Sequence, residues 1–395
     1  MDADVAVVGA GAIGSSVARW LAKDGHEVVV LDKETGPALH QSGRNSGVVH
    51  AGYQYEPGST KARFAREGAR RLIAYCRERD IPLRQNGLLV VAQNETEIGY
   101  LEEAHRRSQT NGIEARMLEP EEIQQVEPAA RGRAGLRVPA YASFDARAYV
   151  HSLTGEAMTA GAEFLYDTTV EAIEDTGRGV RVHTSKGTLE AGGAVNAAGL
   201  QADRLGQDVC PDMRIVPFRG YYAEVVADKR DMVEGHVYPA PDPELPFLGV
   251  HLSKRADGRL IVGPGAMLAF GREAYSFWGA DGRDLLDTLS WPGFYRLLGD
   301  AKIRSLIGDE VHKSLSLKAM AAEARRLVPE IEAVDLVDSY AGNRAQMVSR
   351  EGELVMDLVV REQGNTVHVL NAVSPGLTCS LPFGEHVAQL ALERA

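Results

Sequence analysis

Cysteine is scarce in this chain, with only Cys76, Cys210 and Cys379 among 395 residues. They lie far apart and form no C-x-x-C pair, which argues against a disulfide framework or a cysteine-held metal centre; a reducing compartment fits and no metal site is expected. Long apolar runs are missing too, and no stretch approaches the ~18 residues that a spanning helix needs. The N-terminus opens on Asp2 and Asp4 rather than on a basic leader, so the expected location is cytoplasmic, at most peripheral at the inner face of a membrane. Positive charge is in deficit: 43 Lys and Arg face 55 Asp and Glu, for a net charge of -12. That balance, with no basic stripe, argues against a nucleic-acid partner. No amphipathic helix rich in Lys and Arg suggests a membrane anchor, and neither a fixed-period repeat nor a low-complexity linker is present.

The remainder is ordinary globular composition, 44% hydrophobic and 25% charged with 41 Gly and 17 Pro, and the length is about 2.6 times a ~150-residue domain, which predicts two domains packed together. The clearest signal comes first. Asp4 to Val8 is a short apolar run of the kind that fills a parallel sheet, followed at once by Gly9-Ala10-Gly11-Ala12-Ile13-Gly14. Gly9 allows a tight turn, Gly11 lets the backbone approach a pyrophosphate, and Gly14 lets the following helix pack on the strand, while the helix N-terminus offers N–H groups to the anion. Ile13, Val17, Trp20 and Leu21 recur at helical spacing, Gly25 closes the helix, and Glu27 to Leu31 makes a second strand. Asp32 then stands 18 residues after Gly14, where a carboxylate accepts the ribose hydroxyls of an adenosine.

The loop His40 to Gly52, small, polar and rich in glycine, follows the second strand. An NAD-binding unit would normally enter its crossover helix there, so the loop points to FAD. Only one such fingerprint is present, which gives no second site for a nicotinamide nucleotide.

At this point the sequence resembles the flavin-dependent L-2-hydroxyglutarate oxidases and dehydrogenases, within the D-amino-acid-oxidase-like flavoproteins. The resemblance runs nearly end to end. It is carried by Leu31-Asp32-Lys33-Glu34, the His40 to Gly52 loop, Pro57 to Ala62, Val216-Pro217-Phe218-Arg219-Gly220, Tyr238 to Pro243, Pro246 to His251, Ala269 to Tyr275 and Arg344-Ala345-Gln346. Departures stand at Gln54 and Thr60, where relatives commonly have tyrosine and leucine, and at Asn343, where a small apolar residue is usual; they bear on the distal end of a substrate pocket.

The resemblance implies an α/β fold with a Rossmann-like FAD-binding domain in pieces, residues 1–80, 145–218 and 336–395, and an inserted α+β substrate domain with an antiparallel sheet, 81–144 and 219–335. Short strands are expected over 167–173, 179–184 and 189–190, a helix over 96–112, two helices within 303–328, and a C-terminal strand 366–371 followed by a helix from about Leu381. Implied FAD contacts are Gly9, Gly11, Ala12, Ile13, Gly14, Asp32, Lys33, Arg44, Asn45, Ser46 and Gly47 near the N-terminus. Further along the chain they are Val170, Ala198, Gly199, Gly342, Gly376, Leu377 and Thr378.

Oxidising a 2-hydroxy acid requires a two-electron acceptor, a base for the hydroxyl proton and a cation that holds the carboxylate. The resemblance assigns the acceptor to FAD, with hydride passing to flavin N5 and electrons leaving to O2 or a quinone. His50, a few residues beyond the pyrophosphate loop, is the favoured base, with structural contact to the flavin as its alternative; His251, alternating with apolar neighbours, is the rival, with a hydrogen-bonded core histidine as its alternative. Arg344 resembles the arginine that clamps carboxylates in the superfamily. A dicarboxylate needs a second cation, and Lys61 is preferred over Arg219 and Arg272. Tyr55 and Ser374 complete the expected substrate contacts.

The expected activity is therefore oxidation of an L-2-hydroxy acid, most of all L-2-hydroxyglutarate to 2-oxoglutarate. An amino-acid or secondary-amine oxidase is the alternative within flavoenzymes, and a non-catalytic or electron-transfer flavoprotein subunit the alternative of another class. The sequence leaves the oligomeric state open.

Overall fold

In the computed structural model, residues 2–242, 249–301, 303–305, 307–308 and 316–394 are described. The apolar run at the start forms strand β1, Ala3–Val8, helix α1 spans Ala12–Lys23, and strand β2 is Val28–Leu31. β1 pairs in parallel with both β2 and the strand Gly187–Asn196, so it lies inside its sheet. Every β2 residue is buried and only Asp4 of β1 is exposed, which is why both read as continuous apolar runs rather than alternating ones. Among the described residues the sheet has eight strands: Val170–Asp175 and Val180–Thr184 add an antiparallel edge, and Thr366–Asn371 pairs in parallel beside Asn196. Val5, Val7, Val17, Leu21, Phe383 and Val387 share the core formed where α1 and the C-terminal helix Gly376–Leu392 pack against this sheet.

Among the described residues the other strands form a second sheet of nine strands and a small three-stranded sheet, in which β3, Val48–Val49, pairs with Ala142–Phe144. The spine of the nine-stranded sheet is the antiparallel pair Met213–Val225 and Leu336–Ser349. These strands differ from the expected division of the chain: the first runs across the boundary at 218, and the second, expected with the FAD pieces, belongs to the other sheet. The reason is pairing, since their register continues from Met213↔Ser349 to Val225↔Leu336 and a strand cannot be divided from its ladder.

Three expectations about elements need correction. The C-terminal helix begins at Gly376 rather than near Leu381, and Pro382 lies inside it; a proline is compatible with a helix start, but here it is carried in the interior. The second of the two helices expected within 303–328 is Leu317–Ala324, which closes in a turn rather than running on to residue 328. Leu189 and Glu190 belong to the single strand that continues to Asn196. The helix expected from Ile303 falls partly outside the described residues, as do Pro243 and the stretch Pro246 to Leu248.

Candidate active site

One cavity of about 1500 Å³ runs along the ends of the β1 and β2 strands and beneath the second sheet. Its floor is the βαβ turn. Gly9 adopts φ +105°, and a Cβ there would lie 2.6 Å from the Ala197 carbonyl oxygen. A Cβ on Gly14 would collide with the Gly9 carbonyl, so the turn and the helix close up only because neither has a side chain. Gly11, the residue capping α1, offers no side-chain hydrogen bond; instead the Ala12 N–H donates to Ser42 Oγ at 3.0 Å. Asp32 accepts from the N–H groups of Ala10 at 2.6 Å and Glu34 at 2.9 Å, and burial raises its pKa against those bonds.

The expected FAD contacts Gly9, Gly11, Ala12, Ile13, Asp32 and Lys33 all line this cavity, as do Arg44, Asn45, Ser46 and Val170. Ala198, Gly199, Gly342, Gly376, Leu377 and Thr378 line it too. Gly14 and Gly47 do not: Gly14 packs the helix on the turn, and a Cβ on Gly47 would meet the Phe144 carbonyl at 2.6 Å. The Asn45 amide is spent inside its own loop, donating to Gln41 and Ser42 carbonyls at 2.9 and 2.8 Å and accepting from Gly47 N–H at 2.9 Å, so it shapes the loop rather than reaching a ligand. A glycine cradle, an exposed helix N-terminus, an acid at the end of β2 and a long cavity fit a dinucleotide, and the continuation past Gly342 to Gly376 leaves room for a ring system beyond the pyrophosphate.

The other end of the cavity gathers His50, Tyr55, Lys61, His251, Arg344 and Ser374 from separate parts of the chain. The His50 N–H donates to Thr378 Oγ1 at 3.2 Å, which ties the segment after β3 to the first turn of the C-terminal helix. Its ring meets Tyr141 edge-on at 5.6 Å. Burial, with His251 and Lys61 adding repulsion, pushes the His50 pKa down to about 3. His251 opens the strand His251–Lys254 and packs close to Tyr238, with ring centroids 4.0 Å apart and the rings tilted by 37°. Burial lowers its pKa to about 4, with the Gly249 bond opposing and Arg344 assisting. Both imidazoles are therefore neutral near pH 7.

Lys61 lies in the first turn of helix α2, Thr60–Glu78. Its ammonium donates to the Met356 carbonyl at 3.0 Å and sits 4.9 Å from the Tyr55 ring centroid. Burial lowers its pKa, with Asp357 opposing. Gln54 also lines the cavity, and its Oε1 is buried with no hydrogen-bond partner among the described residues. Arg344 stands on Leu336–Ser349, paired with Phe218 in the ladder.

Two cations expected here are elsewhere. Arg219 is fully buried and does not line the cavity; its guanidinium donates to the carbonyls of Ala274 at 2.9 Å, Phe277 at 3.1 Å and Ser276. Strand alternation explains this, because Gly220 and Tyr222 face the cavity and Arg219 therefore points away. Arg272 is locked by Asp203 and, at 2.7 Å, by Asp287. Asn343 uses its amide on the carbonyls of Arg272 and Ala274 at 2.9 and 3.2 Å.

The sequence reading missed Ser42, Tyr222 and Glu273. The phase of the glycine and arginine in Arg219-Gly220-Tyr221-Tyr222 was the available signal for Tyr222, whose ring stacks on Tyr340 at 4.7 Å. Glu34, His40 and Glu273 also come within 4.8 Å of one another. Lys33 already supplies the cation among them, bonding Glu34 and, at 2.8 Å, Glu273. No helix of the described residues is long and apolar enough to cross a membrane.

Residues 4–390 match the model of a family described as FAD dependent oxidoreductase. A protein of Indibacter alkaliphilus named L-2-hydroxyglutarate dehydrogenase is 35% identical over 100% of both chains. The mitochondrial protein of the same name from Mus musculus is 36% identical over 98% of this chain and 88% of its own. Among solved structures, the FAD-bound L-alpha-glycerophosphate oxidase of Mycoplasma pneumoniae superposes with a TM-score of 0.78 at 22% identity, covering 99% of this chain and 94% of that one. Glycine oxidase of Geobacillus kaustophilus gives 0.76 at 22%, over 100% and 95%.

Proposed function

The chain belongs to the FAD-dependent oxidoreductase family, and on that premise we propose that it oxidises L-2-hydroxyglutarate to 2-oxoglutarate. The observation that carries the reading is the placement of two cationic side chains, Lys61 on α2 and Arg344 on the second sheet, in the same cavity as two neutral imidazoles. A dicarboxylate with a hydroxyl on one α-carbon matches that set: an anion for each cation and a proton for a neutral base. The relatives' shared name supports the same substrate.

In this reading Arg344 holds the α-carboxylate through its planar fork, assisted by the Tyr222 hydroxyl, and Lys61 with Gln54 receives the distal carboxylate. His50 takes the hydroxyl proton, a role supported by its neutral state and by the Thr378 tie that fixes its backbone. His251 is the competing base. Tyr55 walls the Lys61 end, and Ser374 lies beside the helix start at Gly376. FAD, which would be held along Gly9 to Ile13, Asp32, Arg44, Ser46, Val170 and the Gly376 turn, would supply the two-electron oxidant when bound. The electron acceptor would be O2 or a quinone, and reoxidation rates in air and with a soluble quinone separate the two.

Anaerobic mixing of the purified protein with L-2-hydroxyglutarate, its D-enantiomer, L-malate, L-lactate and several amino acids tests the assignment. Bleaching of the flavin band fastest with L-2-hydroxyglutarate is the expected result. Faster bleaching by an amino acid overturns it in favour of amine oxidation.

A further inference from the structure

The segment following Met267–Leu268 is held from beneath and presents two side chains to the nucleotide-binding half of the molecule. Its carbonyls are gripped by Asn343 at Arg272 and Ala274, and by Arg219 at Ala274, Ser276 and Phe277. Arg272 adds a buried anchor, bonding the Leu200 carbonyl at 2.6 Å and the Asp203 carboxylate, while its own N–H donates to Asp284 at 2.7 Å. A stretch fixed at so many backbone points has few alternative conformations, so the side chains it carries are pre-positioned.

Those side chains are Glu273 and Tyr275. Glu273 accepts from Lys33 at 2.8 Å and from Gln201 at 3.1 Å. The Tyr275 hydroxyl meets His40 Nδ1 at 2.6 Å, and its ring lies 4.1 Å beneath the Arg44 guanidinium carbon. Lys33, His40, Arg44, Gln201 and Glu273 all line the cavity. Lys33 directly follows Asp32, so these contacts bridge the second sheet to the end of the cavity where the acid after β2 marks the adenosine half of a dinucleotide.

We propose that Glu273 and Tyr275 form a clasp over the adenosine end of the bound cofactor, and that opening this clasp limits cofactor release. The inference rests on the FAD assignment but not on the substrate. Each contact alone is a partly exposed pair of small value. Acting together on Lys33, His40 and Arg44 they form a network that must be broken for a dinucleotide to withdraw, whereas a flavin without the adenylate half has nothing beneath the clasp. Arg219 and Asn343 are positioning residues in this scheme, acting through the carbonyls they hold.

The test compares the holoenzyme with the near-isosteric variants Glu273→Gln and Tyr275→Phe. Release is followed by the rise of flavin fluorescence after dilution, and apoprotein is titrated separately with FAD and with FMN. The expected result is FAD release faster by about tenfold or more in each variant, equivalent to one lost interaction, with FMN affinity unchanged within about twofold. The visible spectrum of bound flavin and the melting temperature of the apoprotein should match the parent. Release rates equal to the parent's in both variants overturn the clasp, as does equal weakening toward FAD and FMN. A parent that takes up no flavin overturns the cofactor assignment and the clasp together, and is distinguished by the absence of any titration endpoint.

Discussion

His251 Nδ1 lies 2.9 Å from the carbonyl oxygen of Gly249. A carbonyl only accepts, so Nδ1 carries the ring proton and Nε2 keeps the lone pair. The backbone just before the strand His251–Lys254 therefore sets the tautomer of one of the two imidazoles in the cavity, and it makes His251 a defined acceptor next to His50. The two are separated by substitution. His50→Ala is expected to slow anaerobic flavin reduction by roughly 10²- to 10⁴-fold with the protein still yellow, the range for loss of a general base. His251→Ala should have the smaller effect, and the reverse ranking would move the base role to His251.

Arg344→Lys replaces a planar fork with a point charge. Loss of orientation at the α-carboxylate is expected to lower kcat/KM by about 10²-fold, the scale at which misplacement by about 1 Å is felt. Kinetics like those of the parent would remove Arg344 from the clamp role.

Lys61→Met keeps most of the length of the side chain and deletes the charge. KM for L-2-hydroxyglutarate should rise by about tenfold or more, while the rate of flavin reduction with L-lactate, which has no distal carboxylate, should stay the same as the parent's. An equal loss with both acids would mean that Lys61 supports the fold or the α-carboxylate end instead.

Both histidines have pKa values pushed below the ordinary 6.5, to about 3 and about 4. A base works when neutral, so activity is lost only as pH falls through the lowered value, and the acid limb of kcat/KM is expected nearer pH 3 to 4 than 6.5. At the basic end Lys61 loses its proton below the ordinary 10.5, so a limb should appear there for the diacid and not for L-lactate. The same burial acts on stability: the unfolded chain binds protons that the folded one refuses, so stability is fully present above about 6.5 and declines as pH falls toward about 3. Melting temperatures between these limits check the sign.

The nucleotide half of the cavity was legible in the order of residues along the chain. Gly9, Gly11, Gly14 and Asp32 lie in one continuous βαβ unit, where function depends on backbone geometry that only certain residues at certain spacings permit, and such local constraints are written in order along the chain. Family resemblance extended the same legibility to the Gly376 turn.

The tertiary structure decided which polar residues face the cavity. Arg219 and Arg272 read in sequence as free cations, but a three-dimensional accounting spends the first on three carbonyls and the second on Asp203 and Asp287. Tyr222 lines the cavity and its neighbour Tyr221 does not, because a shift of one residue on a strand exchanges the two faces. His50, Lys61, His251 and Arg344 come from four separate segments that meet only when the two sheets pack, and no spacing along the chain encodes such a meeting. Local backbone demands are legible in sequence because neighbours in the chain impose them; the direction of a side chain depends on partners that only folding brings near.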